Sequence, residues 1–159
     1  MPNKKLIYLD SCIFVASFMK ETDKINKIKN FFRESENSNI EFVTSDWTLT
    51  EIVKVLIKDK KISSKRVANY IQELERTKRI EGFKFIWVPV SKKDNYDFEE
   101  FFYEVQKMQL EYKGSLGDAI HGLIMKNNSI KTILTTDPEF SGMKGMLVIN
   151  PLNQNETKK

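Results

Sequence analysis

The sequence predicts an α/β fold, a three-layer sandwich in which helices cover both faces of a central five-stranded parallel sheet. Short apolar runs of strand length alternate with longer segments whose apolar residues recur every three or four positions. Strands that helices separate in this way are typical of parallel sheets. The 159 residues contain no internal repeats, low-complexity tracts or Pro- and Gly-rich linkers. We therefore expect a single domain over residues 1–151, followed by a polar tail over residues 152–159.

Five apolar runs are the predicted strands, numbered one to five in chain order. The first is nearly continuous in apolar residues, as expected of a strand that is buried on both faces. We expect the order 3-2-1-4-5 across the sheet, in which strands one and four are neighbours at the switch point. The five runs are Lys5–Asp10, Ile40–Ser45, Phe83–Val90, Ile130–Leu134 and Met146–Ile149.

Helical periodicity occupies most of the chain between these runs. Ser45 or Asp46 is a candidate N-cap for the second helix, and Ser115 begins the last helix just after Gly114. The fourth helix carries a Phe-rich stripe that we expect to pack in the core, formed by Phe98, Phe101, Phe102, Val105 and Met108. The predicted helices are Asp23–Phe32, Asp46–Lys60, Ser63–Arg79, Lys92–Tyr112 and the one that starts at Ser115.

Bulk composition limits the classes of function. The net charge of +4 and the pI of about 9.0 are compatible with a polyanionic partner, although ordinary proteins share them. A single cysteine, Cys12, excludes an internal disulfide framework and a cysteine-based zinc cluster. No apolar run approaches the ~20 residues of a membrane span, and the first ten residues are too quickly charged for a signal peptide. We expect a cytoplasmic protein without a membrane partner.

Four carboxylates lie where predicted elements begin or end. Asp10 ends strand one, Asp137 follows strand four, Asp118 is in the first turn of the helix before strand four, and Glu51 is about one turn into the helix after strand two. Two bare carboxylates 4 Å apart repel by about 4 kcal/mol at an effective dielectric of 20, so a convergent set requires a cation. Oxygen ligands select Mg²⁺ or Mn²⁺ over zinc. The pattern predicts an acidic, metal-dependent site for a phosphate ester.

Each acid also has an ordinary structural interpretation. Asp10 could cap the end of a strand, and Glu51 could face solvent as most helical glutamates do. Asp118 could interact only with the helix dipole, which is worth roughly 0.3–1 kcal/mol. Asp137 precedes Pro138, a common turn pair. The combination of all of them, in this order and on these elements, favours a shared site.

Four short motifs, LDSCIF, TLTEIVKVL, GDAIHGLIMK and ILTTDPEF, resemble those of the PIN domain in the order that this family uses. The resemblance runs from Lys5 to about Pro151 and is strongest to the VapC-type toxin ribonucleases and related stand-alone PIN proteins. It implies a PIN-like fold and an endoribonuclease dependent on Mg²⁺ or Mn²⁺. The implied reaction is in-line attack of metal-activated water on a phosphodiester, leaving a 5′-phosphate and a 3′-hydroxyl.

The same resemblance implies roles for individual residues. The acidic, metal-holding and catalytic set would be Asp10, Glu51, Asp118 and Asp137. Supporting positions would be Ser11 after the first acid, Thr135 or Thr136 before the last, and Glu139, which stands behind Pro138 where the family often has a further acid. The chain is longer than a compact toxin, mainly because of the helix Lys92–Tyr112.

Five other residues have both a functional and a structural interpretation. His121 could touch substrate or metal, but a lone histidine on a packed helix is usually structural. We interpret Cys12 as a small buried hydrophobe and Trp47 as a helix anchor rather than a platform for a base. Lys113 and Lys144 are candidate contacts for RNA phosphate, with ordinary surface lysines as the alternative.

The leading hypothesis is a metal-dependent PIN ribonuclease that serves as the toxin of a type II toxin–antitoxin pair. Its partners would be RNA, either structured or in a single-stranded loop, and a cognate antitoxin protein. Apolar surface on the helices Asp46–Lys60 and Ser63–Arg79 suggests a homodimer. One alternative is an RNA-processing or quality-control PIN nuclease. Another is a non-catalytic scaffold that binds RNA or protein, which loss of an acid would indicate, and none is missing.

Two further α/β classes fit the sequence less well. A phosphotransferase of the haloacid dehalogenase kind needs an Asp-x-Asp motif after strand one, where this chain has Asp10, Ser11 and Cys12. A phosphoacceptor receiver needs a pair of acids there, which is also lacking.

Overall fold

A computed structural model of the chain describes residues 4–92 and 97–156. The strands are β1 (Lys5–Leu9), β2 (Ile40–Thr44), β3 (Arg79–Ile80), β4 (Phe83–Lys84), β5 (Ile86–Trp87), β6 (Thr132–Leu134) and β7 (Leu147–Ile149). The α-helices are α1 (Ser11–Met19), α2 (Thr22–Ser35), α3 (Asp46–Lys54), α4 (Ser64–Thr77), α5 (Phe98–Tyr112) and α6 (Leu116–Asn127). A π-helical turn, Val55–Asp59, continues α3, and 3-10 helices span Pro138–Gly142 and Pro151–Glu156. None of the helices in these two ranges has both the length and the apolar character needed to cross a bilayer.

The central sheet has five parallel strands in the order β5-β2-β1-β6-β7. These correspond to the predicted strands in the order 3-2-1-4-5, so the predicted topology is confirmed. Leu9, the last residue of β1, pairs with Leu134, the last residue of β6. The chain therefore leaves both strands at the same edge of the sheet, and the residues that follow them lie side by side.

The layers follow from the alternation of side chains along β1, since successive residues of a strand point to opposite faces. Ile7 and Leu9 pack with residues of α1, α2, α3 and α4 in one core, whereas Tyr8 packs with residues of α5 and α6 in another. The predicted three-layer sandwich is therefore confirmed.

Helix α1 is an element that the sequence patterns do not predict. It begins directly after Asp10, whose side chain accepts a hydrogen bond from the backbone N–H of Ser11 at 2.6 Å. Residues 13–16 are all buried, so the helix shows no amphipathic stripe with a period of 3.6 residues. The apolar segment that follows β1 consequently resembles a continuation of the strand.

The predicted third strand, Phe83–Val90, is wrong in its extent. Only Ile86–Trp87 joins the central sheet, while Phe83–Lys84 pairs with Arg79–Ile80 in an antiparallel hairpin. Glu81 and Gly82 form its two-residue loop, both with positive φ, as a type I′ turn requires. The Glu81 carboxylate ties this loop to the helices through a salt bridge to Lys29 at 2.8 Å and a hydrogen bond from Ser17.

Two features of α5 also differ from the prediction. The helix begins at Phe98 rather than near Lys92, with Asp97 as its N-cap, and residues 93–96 lie outside the described residues. In the Phe-rich stripe, Val105 is buried, but Phe98 and Phe102 are 75% and 46% exposed. Their rings stack on each other with centroids 5.8 Å apart. The stripe is therefore only partly a core feature.

The polar tail begins as a 3-10 helix, Pro151–Glu156, which packs next to α2 through a hydrogen bond from the Lys27 ammonium to the carbonyl oxygen of Leu152 at 3.0 Å. Residues 157–159 of the predicted tail lie outside the described residues. The boundary at residue 151 between domain and tail stays a prediction.

Candidate active site

A pocket of about 370 Å³ opens at the edge of the sheet where β1 and β6 end. Its lining includes all four acids of the predicted set and the additional acid, namely Asp10, Glu51, Asp118, Asp137 and Glu139. Ser11 and Thr136 line the same pocket. The structure therefore brings the predicted acids together, as expected for the carboxyl edge of a parallel sheet at its switch point.

Asp10 is held in place by groups from three parts of the chain. Its Oδ1 accepts the Ser11 N–H at 2.6 Å, and its Oδ2 accepts the Thr135 hydroxyl at 2.6 Å. The same Thr135 oxygen accepts the backbone N–H of Asp137 at 2.9 Å. Thr135 is fully buried and Asp10 is 4% exposed. One hydroxyl thus joins the acid after β1 to the acid after β6.

Asp118 is held by the N-cap residue of α6, Asp137 itself caps a 3-10 helix, and both line the pocket. Ser115, the N-cap of α6, accepts the Asp118 N–H at 3.1 Å and donates its hydroxyl to Oδ2 of Asp118 at 2.6 Å. Oδ1 of Asp137 accepts the N–H of Glu139 at 2.9 Å, at the start of the 3-10 helix Pro138–Gly142. The structural and functional interpretations of these acids therefore coexist.

Glu51 reaches the pocket from the middle of α3. Its Oε2 accepts the Ser11 hydroxyl at 3.1 Å and lies 2.6 Å from Nε2 of His121. Burial, the largest single influence, raises the pKa of the Glu51 carboxyl, but His121, Ser11 and the nearby Lys54 together hold that pKa below its ordinary value. Glu51 is consequently stabilised in its ionised form.

His121 lies behind Glu51 and has no exposed surface. Its Nδ1 is 2.9 Å from the Tyr8 hydroxyl, and its Nε2 is 3.7 Å from Oδ1 of Asp10. The sequence favours a structural role for this residue, whereas the structure connects it directly to a site carboxylate. The sequence signal for a link between His121 and the acidic site was its position three residues after Asp118, on the same helix face.

The donor set fits a hard divalent cation. Among the described residues, Asp10, Glu51 and His121 each offer one atom within 4.8 Å of the others. Asp118 and Asp137 line the same pocket but do not belong to this close group. Carboxylate oxygens are the ligands preferred by Mg²⁺ and Mn²⁺. Asp137 and Asp118 raise the pKa of the exposed Glu139 carboxyl through their negative charge, because like charges disfavour its ionised form.

Comparison with known families decides what kind of domain surrounds this pocket. The family model described as the PIN domain matches residues 7–145, which is most of the chain. The chain belongs to the PIN domain family. Among curated proteins, no sequence matches it significantly.

Several solved structures share the fold of this chain. The sarcin–ricin-loop-cleaving toxin VapC20 of Mycobacterium tuberculosis is 14% identical, with a TM-score of 0.62 over 91% of this chain and 99% of that one. VapBC2 of Rickettsia felis, bound to a DNA fragment from its promoter, is 16% identical, with a TM-score of 0.58 over 91% of this chain and 98% of that one. FitAcB of Neisseria gonorrhoeae is 13% identical, with a TM-score of 0.55 over 92% of this chain and 99% of that one. At these identities the likeness shows a shared fold.

Cys12 adds a further contact inside the PIN pocket. Its Sγ lies 3.2 Å from Oδ2 of Asp10 and accepts the Thr136 N–H at 3.3 Å. Burial, followed by the charge of Asp10, raises the pKa of this thiol to about 12. Cys12 therefore stays protonated and donates to Asp10, rather than acting as a nucleophile or a thiolate ligand.

The cations near the pocket are not the two lysines that the sequence singles out. Lys24, Lys54 and Lys60 line it. Lys113 and Lys144 are not among its described lining residues. Lys144 instead lines a separate pocket of about 460 Å³. The spacing of three residues from Glu51 was a signal for Lys54, since such pairs share a helix face.

Trp47 packs against the core on the α5 and α6 side of the sheet and is partly buried. Its indole N–H is buried and, among the described residues, has no hydrogen-bond partner. It does not line the acidic pocket. These contacts favour the anchoring interpretation of Trp47 over base stacking.

Proposed function

We propose that this PIN domain is a metal-dependent endoribonuclease, which hydrolyses phosphodiester bonds of RNA as the toxin of a type II toxin–antitoxin pair. The observation that carries the proposal is the meeting of four carboxylates in one pocket, two of them joined by the Thr135 hydroxyl. Carboxylates that share one pocket favour a bound cation, because their negative charges repel one another.

Asp10, Glu51, Asp118 and Asp137 would hold Mg²⁺ or Mn²⁺. When bound, such an ion lowers the pKa of water and stabilises negative charge on a phosphoryl oxygen. Ser11 and Thr135 would keep the carboxylates in place through their hydroxyl groups. Lys54 and Lys60, at the pocket wall, would attract the RNA backbone electrostatically. Protein nucleophiles are not required, in agreement with the protonated state of Cys12.

The proposed biological role rests on structural analogy. VapC20 is described as a toxin that cleaves the sarcin–ricin loop, and a further similar structure is a toxin–antitoxin complex from Klebsiella pneumoniae with a TM-score of 0.55 and 16% identity. By analogy, the partners of this chain would be an RNA with a structured region or loop and a cognate antitoxin protein. We further propose that the protein forms a homodimer and acts in the cytoplasm.

Cleavage of a labelled structured RNA tests the chemistry. Reactions contain Mn²⁺, Mg²⁺ or EDTA, and wild type is compared with Asp10→Asn and Asp118→Asn. Asp46→Asn is the matched control, because Asp46 is exposed and lies outside the pocket. Losing one carboxylate ligand removes several kcal/mol of charge stabilisation, so we expect a rate loss of at least about a hundredfold in both pocket variants.

The outcomes separate the hypotheses. Metal-dependent cutting that only the pocket variants lose supports the nuclease. Cutting that persists in EDTA, or in both variants, contradicts it. Absence of both cutting and Mn²⁺ binding in wild type would favour a non-catalytic scaffold.

A further inference from the structure

A buried series of hydrogen bonds runs from the sheet to the acidic pocket. The Tyr8 hydroxyl lies 2.5 Å from the Ser45 hydroxyl, 3.0 Å from the Thr48 hydroxyl and 2.9 Å from Nδ1 of His121. Nε2 of His121 then lies 2.6 Å from Oε2 of Glu51. Tyr8, Ser45, Thr48 and His121 are all fully buried. Glu51 is therefore the point where an interior polar network meets the pocket.

The identity of the acceptor determines where the His121 proton lies. A carboxylate oxygen only accepts hydrogen bonds, so the 2.6 Å contact with Glu51 requires a proton on Nε2 of His121. Tyr8 can donate its single proton to Nδ1 and accept from Ser45 and Thr48, which satisfies every group in the network.

The hydrogen bonds of His121, rather than its distance from the acids, distinguish it from the metal-holding residues. Nε2 is already engaged by Glu51, and His121 is not among the described residues that line the pocket. Oε1 of Glu51, by contrast, accepts no hydrogen bond from the described part of the chain. A Cβ atom at Gly117 would lie 2.5 Å from this oxygen. Glycine at residue 117 therefore keeps open the space beside the free oxygen.

We propose that His121, held by Tyr8, is a positioning residue that fixes Oε2 of Glu51 and leaves Oε1 available to the cation. The inference rests on the proposed function, because it assigns a role relative to the metal that the carboxylates would hold. Three residues of helix α6 then have roles at the site. Asp118 is a ligand, His121 holds Glu51 by a hydrogen bond, and Gly117 leaves room for Oε1 of Glu51. Outer partners that orient a ligating carboxylate typically change metal affinity by about 10–100-fold.

The test measures Mn²⁺ affinity, by electron paramagnetic resonance of free Mn²⁺, without RNA. His121→Phe removes the donor and should weaken binding by about 10–100-fold. His121→Gln retains an N–H donor and should recover most of the affinity. Tyr8→Phe should cause a smaller loss. Tyr70→Phe is the matched control, because its hydroxyl donates to the Phe14 carbonyl at 3.0 Å and it does not line the pocket.

Circular dichroism establishes that each variant is folded before its affinity is compared. A folded His121→Phe variant with the affinity of wild type would overturn the inference while leaving the nuclease proposal intact. Wild type that binds no Mn²⁺ would overturn both proposals.

Electron spin echo spectroscopy of wild type with Mn²⁺ requires no variant to fold. Since imidazole nitrogen is not expected in the inner coordination sphere, the spectrum should lack strong coupling to a directly bonded ¹⁴N nucleus. Such a coupling would make His121 a ligand and overturn its assignment as a positioning residue.

Discussion

Thr135→Val tests how strongly the acidic pocket depends on a single hydroxyl group. The buried Thr135 hydroxyl donates to Oδ2 of Asp10 at 2.6 Å and accepts the Asp137 N–H at 2.9 Å. Valine has nearly the same shape but makes neither bond. The substitution removes a hydrogen bond to a charged group, worth about 1.5–3 kcal/mol, and leaves an N–H unpaired, which costs about 1–3 kcal/mol.

Because both losses arise from one hydroxyl, we expect a combined decrease of about 3 kcal/mol in the free energy of unfolding, less than the sum of the upper values. In a domain of this size, the corresponding fall in Tm is roughly 6–12 °C. Urea denaturation in EDTA, followed by circular dichroism, measures the change without a contribution from bound metal.

Thr135→Ser is the matched control for this experiment. Serine keeps the hydroxyl and removes only one methyl group, at a cost of about 1 kcal/mol. If the Val variant is as stable as the Ser variant, the hydroxyl does not join the two aspartates in the way that the distances indicate.

Three further predictions concern the same pocket. Gly117→Ala should weaken Mn²⁺ binding, since its Cβ would lie 2.5 Å from Oε1 of Glu51, whereas Gly142→Ala should not, since its nearest contact is an aromatic carbon at 3.4 Å. Calorimetric titration compares them, and equal affinities would contradict the role of Gly117. The pKa of Glu51 is depressed, so its ionisation stabilises the fold above pH 4.5 and this contribution disappears as the pH falls through the folded-state pKa. The difference in the free energy of unfolding between wild type and Glu51→Gln, measured by urea titration, should therefore narrow as the pH falls below the folded-state pKa of Glu51. A difference that widens instead would contradict a depressed pKa. Mn²⁺ at a hundredfold excess over its Kd should stabilise wild type by about 2.7 kcal/mol. Thermal melts of Asp10→Asn should show no such gain, and an undiminished gain would remove Asp10 from the ligand set.

The sheet order and the meeting of the acids could be predicted because their signals are local. An apolar run marks each strand, and an acid or a short polar segment stands where the run ends. A parallel arrangement then places these ends at one edge. The prediction that Asp10 and Asp137 meet required only that strands one and four be neighbours. The corresponding strands of the structure, β1 and β6, are paired.

The features that the sequence conceals depend on contacts between distant residues. His121 interacts with Tyr8 and Glu51, which are 113 and 70 positions away, and no local period encodes such a network. Helix α1 is packed on several sides and so lacks an amphipathic stripe. The hairpin that divides the predicted third strand uses Glu81 in a positive-φ conformation, and its anchor is Lys29 on α2.

The pairing of β1 with β6 has a consequence for the moment during synthesis at which the acidic pocket can form. Thr135 joins Asp10 across 125 positions of sequence, and β6 can enter the sheet beside β1 only after residues 132–134 have been synthesised. Contacts with such large sequence separation form late in folding because they close long loops. A nascent chain in which β6 has not yet been made therefore lacks the assembled acidic pocket, although Asp10, Glu51 and Asp118 are already present.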